Sequence, residues 1–209
     1  MSDERPSVQI SIFPVQINMP DISAIDYPVL TNRLLIELMA EMLNQSYDKG
    51  FSHKAKLYRN LFVRLQDKAI QEYGEAKEAL IEFNSKPLRW RPWASFTNHI
   101  ENCINAVARM FRLFDRIKSE SLSPSFPREL SRSLEKQRDY FIKVRGAVEH
   151  IDKEIAQDKL NPGKPIALVV NTNGDGVVIS KYALPFQELA NVLVKFNQIA
   201  FYLLRMKNV

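Results

Sequence analysis

Five stretches of this chain carry apolar side chains at the three- and four-residue steps of a helix, and that period leaves little choice of fold. Leu30, Leu34, Leu38 and Met42, broadened by Leu35, Met39 and Leu43, mark a first helix over residues 29–50, stopped by Gly50. Leu57, Leu61, Leu65, Ala69, Ala76 and Leu80 face inward from a second over 52–83, which Pro87 closes off. Phe96, Ile100, Ile104 (or Cys103), Val107, Phe111, Phe114 and Ile117 form the stripe of a third over 95–119. Leu130, Leu134, Gln137, Phe141, Val144, Val148, Ile151 and Ile155 form that of a fourth, from after Pro127 to about Lys159. Leu189, Val192, Phe196, Ile199, Leu203 and Met206 build the last, which starts at Pro185. Short connections favour antiparallel neighbours, so the expected fold is mainly α: an antiparallel helical bundle of about five helices.

Two places break the helical period. Val8, Ile10 and Ile12 alternate with Gln9 and Ser11, the mark of a strand, and Pro14 confines it to an edge. Residues 1–28 therefore read as an N-terminal arm with an edge strand, and residues 29–209 as the bundle domain. Near the C-terminus, 166–170 and 176–182 read as two strands of a small β-hairpin over about 166–182, with the tight point at Asn173-Gly174. A hairpin alone is marginal, so a third strand from the N-terminal segment, of this chain or of a partner, is expected to complete it.

Composition removes several classes of function. The single cysteine, Cys103, excludes an intrachain disulfide and makes a reducing, cytoplasmic setting the expectation. The start, Met-Ser-Asp-Glu-Arg-Pro, has no signal-peptide pattern, and no run of 18 apolar residues exists, so no membrane span is expected. The histidines are His53, His99 and His150, and no His/Cys spacing matches a zinc site, so neither metal nor cofactor is expected. The carboxylate pairs Glu37/Glu41 and Glu72/Glu75 read as solvated charge. A net charge of +5 permits nucleic-acid binding without arguing for it.

The chemistry-bearing residues lie on the third and fourth helices. Asn98, Asn102, Asn105, Arg109, Arg112 and Arg116 recur at four- and three-residue steps and form one polar line, which suits a cleft lining or an RNA contact. Just before that helix, Arg89-Trp90-Arg91-Pro92-Trp93 interleaves basic and aromatic groups, a pattern that either stacks on bases or plugs the bundle. On the fourth helix, Arg145 precedes His150 by five residues. That pairs a phosphate-gripping guanidinium with a group that titrates near neutral pH. At about 100° per residue the two flank a face holding Ile142, Gly146, Glu149 and Lys153. An apolar residue and a glycine stand there where a solvated face carries charge, which points to contact with a second copy.

The run Val144-Arg-Gly-Ala-Val-Glu-His-Ile-Asp-Lys-Glu154 resembles the Arg-x4-His motif of the HEPN superfamily, late in a helical bundle. It is also similar to an Arg-x-x-x-Glu-His-Ile-Asp-x-Glu run of uncharacterised bacterial helical proteins that look HEPN-like. The similarity covers roughly residues 95–160. It implies a homodimer and metal-independent endoribonuclease activity in a toxin–antitoxin or antiviral setting. Arg145 would hold the scissile phosphate, and His150 would serve as general base or acid. The chain departs from the pattern at Gly146, where active members carry a polar residue. Two other readings use the same residues. One is a non-catalytic bundle that binds a protein partner or its own copy. The other is a nucleic-acid-binding module without chemistry, using Arg109, Arg112, Arg116 and the Trp90/Trp93 loop.

Overall fold

The computed structural model describes residues 33–43, 52–85, 90–119, 126–158, 165, 167–171 and 174–205. The N-terminal arm and its expected strand at 8–17 lie outside these residues. Among the described residues the chain is a mainly α bundle of six helices with one small sheet. Its elements run α1 (Arg33–Leu43), α2 (His53–Ser85), α3 (Trp90–Ser119), α4 (Arg128–Glu149), α5 (Ile151–Ala156), β1 (Val169–Val170), β2 (Gly176–Ile179), β3 (Tyr182–Pro185) and α6 (Phe186–Arg205).

The long hairpin of α2 and α3 is the spine. Ser52 starts α2 by accepting the backbone N–H of Ala55 on its hydroxyl (3.1 Å), a normal N-cap. Every apolar position expected to line α3 is buried, and α6 lies across the hairpin. Phe196 of α6 meets Phe62 of α2 and Phe111 of α3 edge-on, with ring centroids 5.6 and 4.8 Å apart. α4 runs antiparallel to α3, held by Phe111 against Phe141 and by the ion pairs Arg138–Asp115 and Lys118–Glu135. Cys103 is wholly enclosed in this core. Its burial, and secondarily the charge of Glu72, push the thiol well above its ordinary range.

Five expectations change, the first at Met39, which is 55% exposed and so does not broaden the buried stripe of α1. α3 begins at Trp90, so Trp90-Arg91-Pro92-Trp93 is the first helical turn and not a loop; Pro92 fits there because early N–H groups have no helical acceptor. The fourth helix breaks at His150, whose φ of −124° and ψ of 20° end α4 before the six-residue α5 resumes. The break turns the stripe, and Ile155, expected inside, is 52% exposed. Leu57, one turn into α2, is 53% exposed, because Tyr58 and Arg59 hold the inward side of that turn instead. The hairpin, finally, is three-stranded: the segment expected as one strand over 176–182 turns at Ser180, whose φ is 51°, and returns as β3.

The sheet order is β1-β2-β3, antiparallel throughout, so the third strand comes from the segment before α6. Asn171 organises the β1–β2 turn by accepting the N–H groups of Gly174 (2.7 Å) and Asp175 (3.1 Å) on its side-chain oxygen. Gly174 takes a φ of 76°, the left-handed conformation that glycine permits. Tyr140 of α4 donates its hydroxyl to the carbonyl of Ala183, tying the sheet to the bundle. No helix among the described residues is long and apolar enough to cross a membrane.

Candidate functional site

Arg145 and His150 sit at the end of α4, one inside the helix and one at its break. Arg145 is half-buried because it lies close to the Phe141 side of α4, against α3. Its guanidinium pairs with Glu149 one turn on, and its Nε is buried without a hydrogen-bond partner among the described residues. The side chains of this pair remain 20% and 30% exposed, and such i,i+4 surface pairs hold by only about 0.3–0.5 kcal/mol. His150 is exposed; its backbone N–H closes α4 on the carbonyl of Gly146 (3.0 Å). The structure therefore leaves the imidazole in solvent and holds the arginine within its own helix.

Of the face expected between them, Ile142 and Gly146 are half-buried and Glu149 is exposed. Lys153 is exposed on α5, beyond the break, so it no longer continues one helical line with the others. Gly146 is unconstrained by the described residues: a Cβ there meets nothing within 4 Å. Glycine inside a helix costs about 1 kcal/mol relative to alanine, and nothing described in this chain requires it. Gly146→Ala is accordingly expected to raise the stability of the single chain by about 0.5–1 kcal/mol, read as a midpoint shift in urea unfolding at unchanged slope. A loss of stability would show that this face is already filled.

The polar line on α3 divides into parts. Asn98 is exposed. Asn102 turns toward α2 and donates to Glu72 (3.3 Å), and His99 donates from Nδ1 to the same carboxylate oxygen (2.8 Å). A carboxylate only accepts, so Nδ1 is the donor of this contact. Lys68 stands 4.0 Å from the other oxygen of Glu72. Sequence reasoning missed this cluster, having set Glu72 aside as solvated charge and weighed His99 only as a zinc ligand. Asn105 is half-buried, and its carbonyl oxygen is buried without a partner among the described residues. Arg109, Arg112 and Arg116 are exposed.

The two tryptophans separate as well. Trp93 packs between Phe83 and Phe96, with centroids 5.4 and 5.6 Å away, whereas Trp90 is 74% exposed. A cleft of about 650 Å³ opens elsewhere, between α4 and α6, lined by Leu130, Ser133, Val194, Lys195 and Tyr202 among others. Burial lowers the pKa of Lys195 there, Glu188 opposes the shift, and the ammonium is engaged by Gln137 (2.9 Å). No group of three or more metal-ligating side chains gathers among the described residues. No family model matches the chain, and neither a curated protein nor a solved structure matches it.

Proposed function

We propose that this chain is a HEPN-like bundle that self-associates through the α4 face holding Ile142 and Gly146, and that the dimer cuts RNA without a metal. The observation that carries this reading is the open space over Gly146, flanked by a half-buried Ile142, between Arg145 and His150. A second helix can approach closely where no side chain intervenes, and a two-fold axis there would bring two Arg145/His150 pairs together. The arginine then exchanges the weak Glu149 pair for a scissile phosphate, which it grips bidentately. His150 takes the proton of the 2′-hydroxyl, and the 2′-oxygen attacks phosphorus. The 5′-oxygen leaves and receives a proton from the other copy's imidazole. The products are a 2′,3′-cyclic phosphate and a 5′-hydroxyl.

Two measurements test the halves of the reading separately. Sedimentation of wild type against Gly146→Leu reads association: a dimer reduced to monomer is expected, and an unchanged mass distribution counts against the interface. RNA digestion in EDTA, comparing wild type with Arg145→Ala and His150→Ala, reads chemistry; a loss of about a hundredfold or more in each variant is expected. Wild-type protein that leaves every RNA intact would remove the catalytic half. The Arg145–Glu149 pair favours that second reading, in which the dimer binds a protein partner and performs no reaction.

A further inference from the structure

The arginines of α3 belong to a larger surface than their own helix. Phe111 marks the side of α3 that meets α6, and Arg109, Arg112 and Arg116 lie about 100–160° around from it. On α2, Phe62 and Gln66 face α6, the latter through a hydrogen bond to the carbonyl of Leu193 (3.0 Å). Arg64 and Lys68 each follow by two residues, about 200° away, and both are exposed. The side of the α2–α3 hairpin turned away from α6 therefore carries five cations.

Helix register shows how they line up. The Glu72–Asn102 and Phe83–Trp93 contacts set Arg64 level with Met110 and Lys68 level with Ala106. The Arg138–Asp115 and Phe111–Phe141 contacts set Arg145 of α4 level with Ala108. Arg109 to Arg116 spans about 10 Å along the axis, and neighbouring helices in such bundles lie about 8–10 Å apart. Of the acids on α2, Glu75, Glu78 and Glu82 lie toward the other end of the helix, and Glu72 stands 4.0 Å from Lys68.

Elsewhere on the surface, Lys118, Arg138 and Arg145 are each paired with a carboxylate. Among the described residues, Arg64, Arg109, Arg112 and Arg116 have no such partner within 4.0 Å, and Lys68 only the distant Glu72 contact. Beside them the Asn105 carbonyl oxygen is buried and has no hydrogen-bond partner among the described residues. A run of exposed guanidiniums without acidic partners sets up a positive potential that a polyanion lying along it would neutralise.

We propose that this strip, Arg64, Lys68, Arg109, Arg112 and Arg116, is a track for the sugar–phosphate backbone of RNA, leading toward Arg145. Guanidiniums on rigid helices fix the backbone by charge and bidentate hydrogen bonds, and they read no base sequence. The track rests on the reading above only in taking RNA as the polyanion; it needs neither dimerisation nor cleavage.

Fluorescence anisotropy of a labelled 20-nucleotide single-stranded RNA, over a series of salt concentrations, tests it. Arg109→Glu/Arg112→Glu is expected to weaken binding about tenfold or more. The slope of log affinity against log salt is expected to become shallower by about 1.4, from two lost phosphate contacts. Lys136→Glu/Lys143→Glu makes the same charge change on the exposed far side of α4 and is expected to change affinity less than about threefold. Circular dichroism melting of each variant separates lost binding from lost fold. Equal weakening in both double variants, no wild-type binding at low salt, or equal binding of poly-glutamate would each overturn the track. Arg109→Glu/Arg112→Glu leaves Arg145 and His150 in place, and binding is read without cleavage or association, so the two proposals fail independently.

Discussion

Gly176→Ala is expected to cost about 1–3 kcal/mol, as much as overfilling a packed core, although it adds a single methyl group. A Cβ at this position would stand 2.4 Å from the carbonyl oxygen of Leu184 and 2.7 Å from the Cα of Pro185. Both obstacles are backbone, so no side chain can swing aside. Gly176 is paired with Pro185 at the end of β3, and the next residue, Phe186, opens α6. The backbone N–H of Phe186 donates to Asp175 (2.8 Å), and its carbonyl accepts the hydroxyl of Tyr73 (3.2 Å). Moving β3 away therefore loosens the seat of α6 as well as the sheet. Thermal unfolding should fall by about 2–4 °C for each kcal/mol lost in a chain of this size. An unchanged midpoint would mean that β3 does not approach β2 this closely.

Asp67→Asn is expected to remove a pH dependence of about 1–3 kcal/mol from the stability curve. Asp67 is buried on α2, where one carboxylate oxygen accepts the N–H of Leu35 in the first turn of α1 (2.8 Å). The other oxygen is buried without a partner among the described residues. Burial raises the pKa from 3.8 to about 6, against the opposing pull of the Leu35 hydrogen bond. The folded state thus binds this proton more tightly than the unfolded chain. Stability from this group grows as pH falls from about 7 toward 4, and above pH 6 the ionised carboxylate is a cost. Asparagine keeps an acceptor for Leu35 and cannot titrate. The measurement is the difference in unfolding free energy between wild type and variant at pH 8 and pH 4.5; a difference that does not move toward wild type on acidification would refute the assignment.

The helices were legible because their stripes are long. Every expected inward position of α3 is buried, and a 30-residue helix repeats its signal enough times to be unambiguous. The return of β3 was not legible: Ser180 turns the chain with a positive φ, a conformation that serine does not announce. Nor was the break at His150, where apolar spacing continues through to Ile155 although the helix does not. The site divides along the same line. Arg145 pairing with Glu149 follows from their spacing alone. The Glu72–His99–Asn102 cluster joins positions 27 and 30 residues apart, and only the hairpin register brings them together. That register also aligns Arg64 and Lys68 with the arginines of α3, which is why the sequence displayed one basic line where the fold has a surface.

The enclosed thiol of Cys103 supplies a clock for the spine of the molecule. It is the chain's one cysteine, and it faces the Glu72 and Tyr73 region of α2 from within α3. A thiol reagent reaches it only when the packing around it opens, the α2–α3 contact included, so the labelling rate under native conditions counts those openings with no engineered probe. Ligands that bind the hairpin's outer face, RNA included, would slow the clock by favouring the closed state. A change confined to the α4–α5 end would leave it running at its own pace.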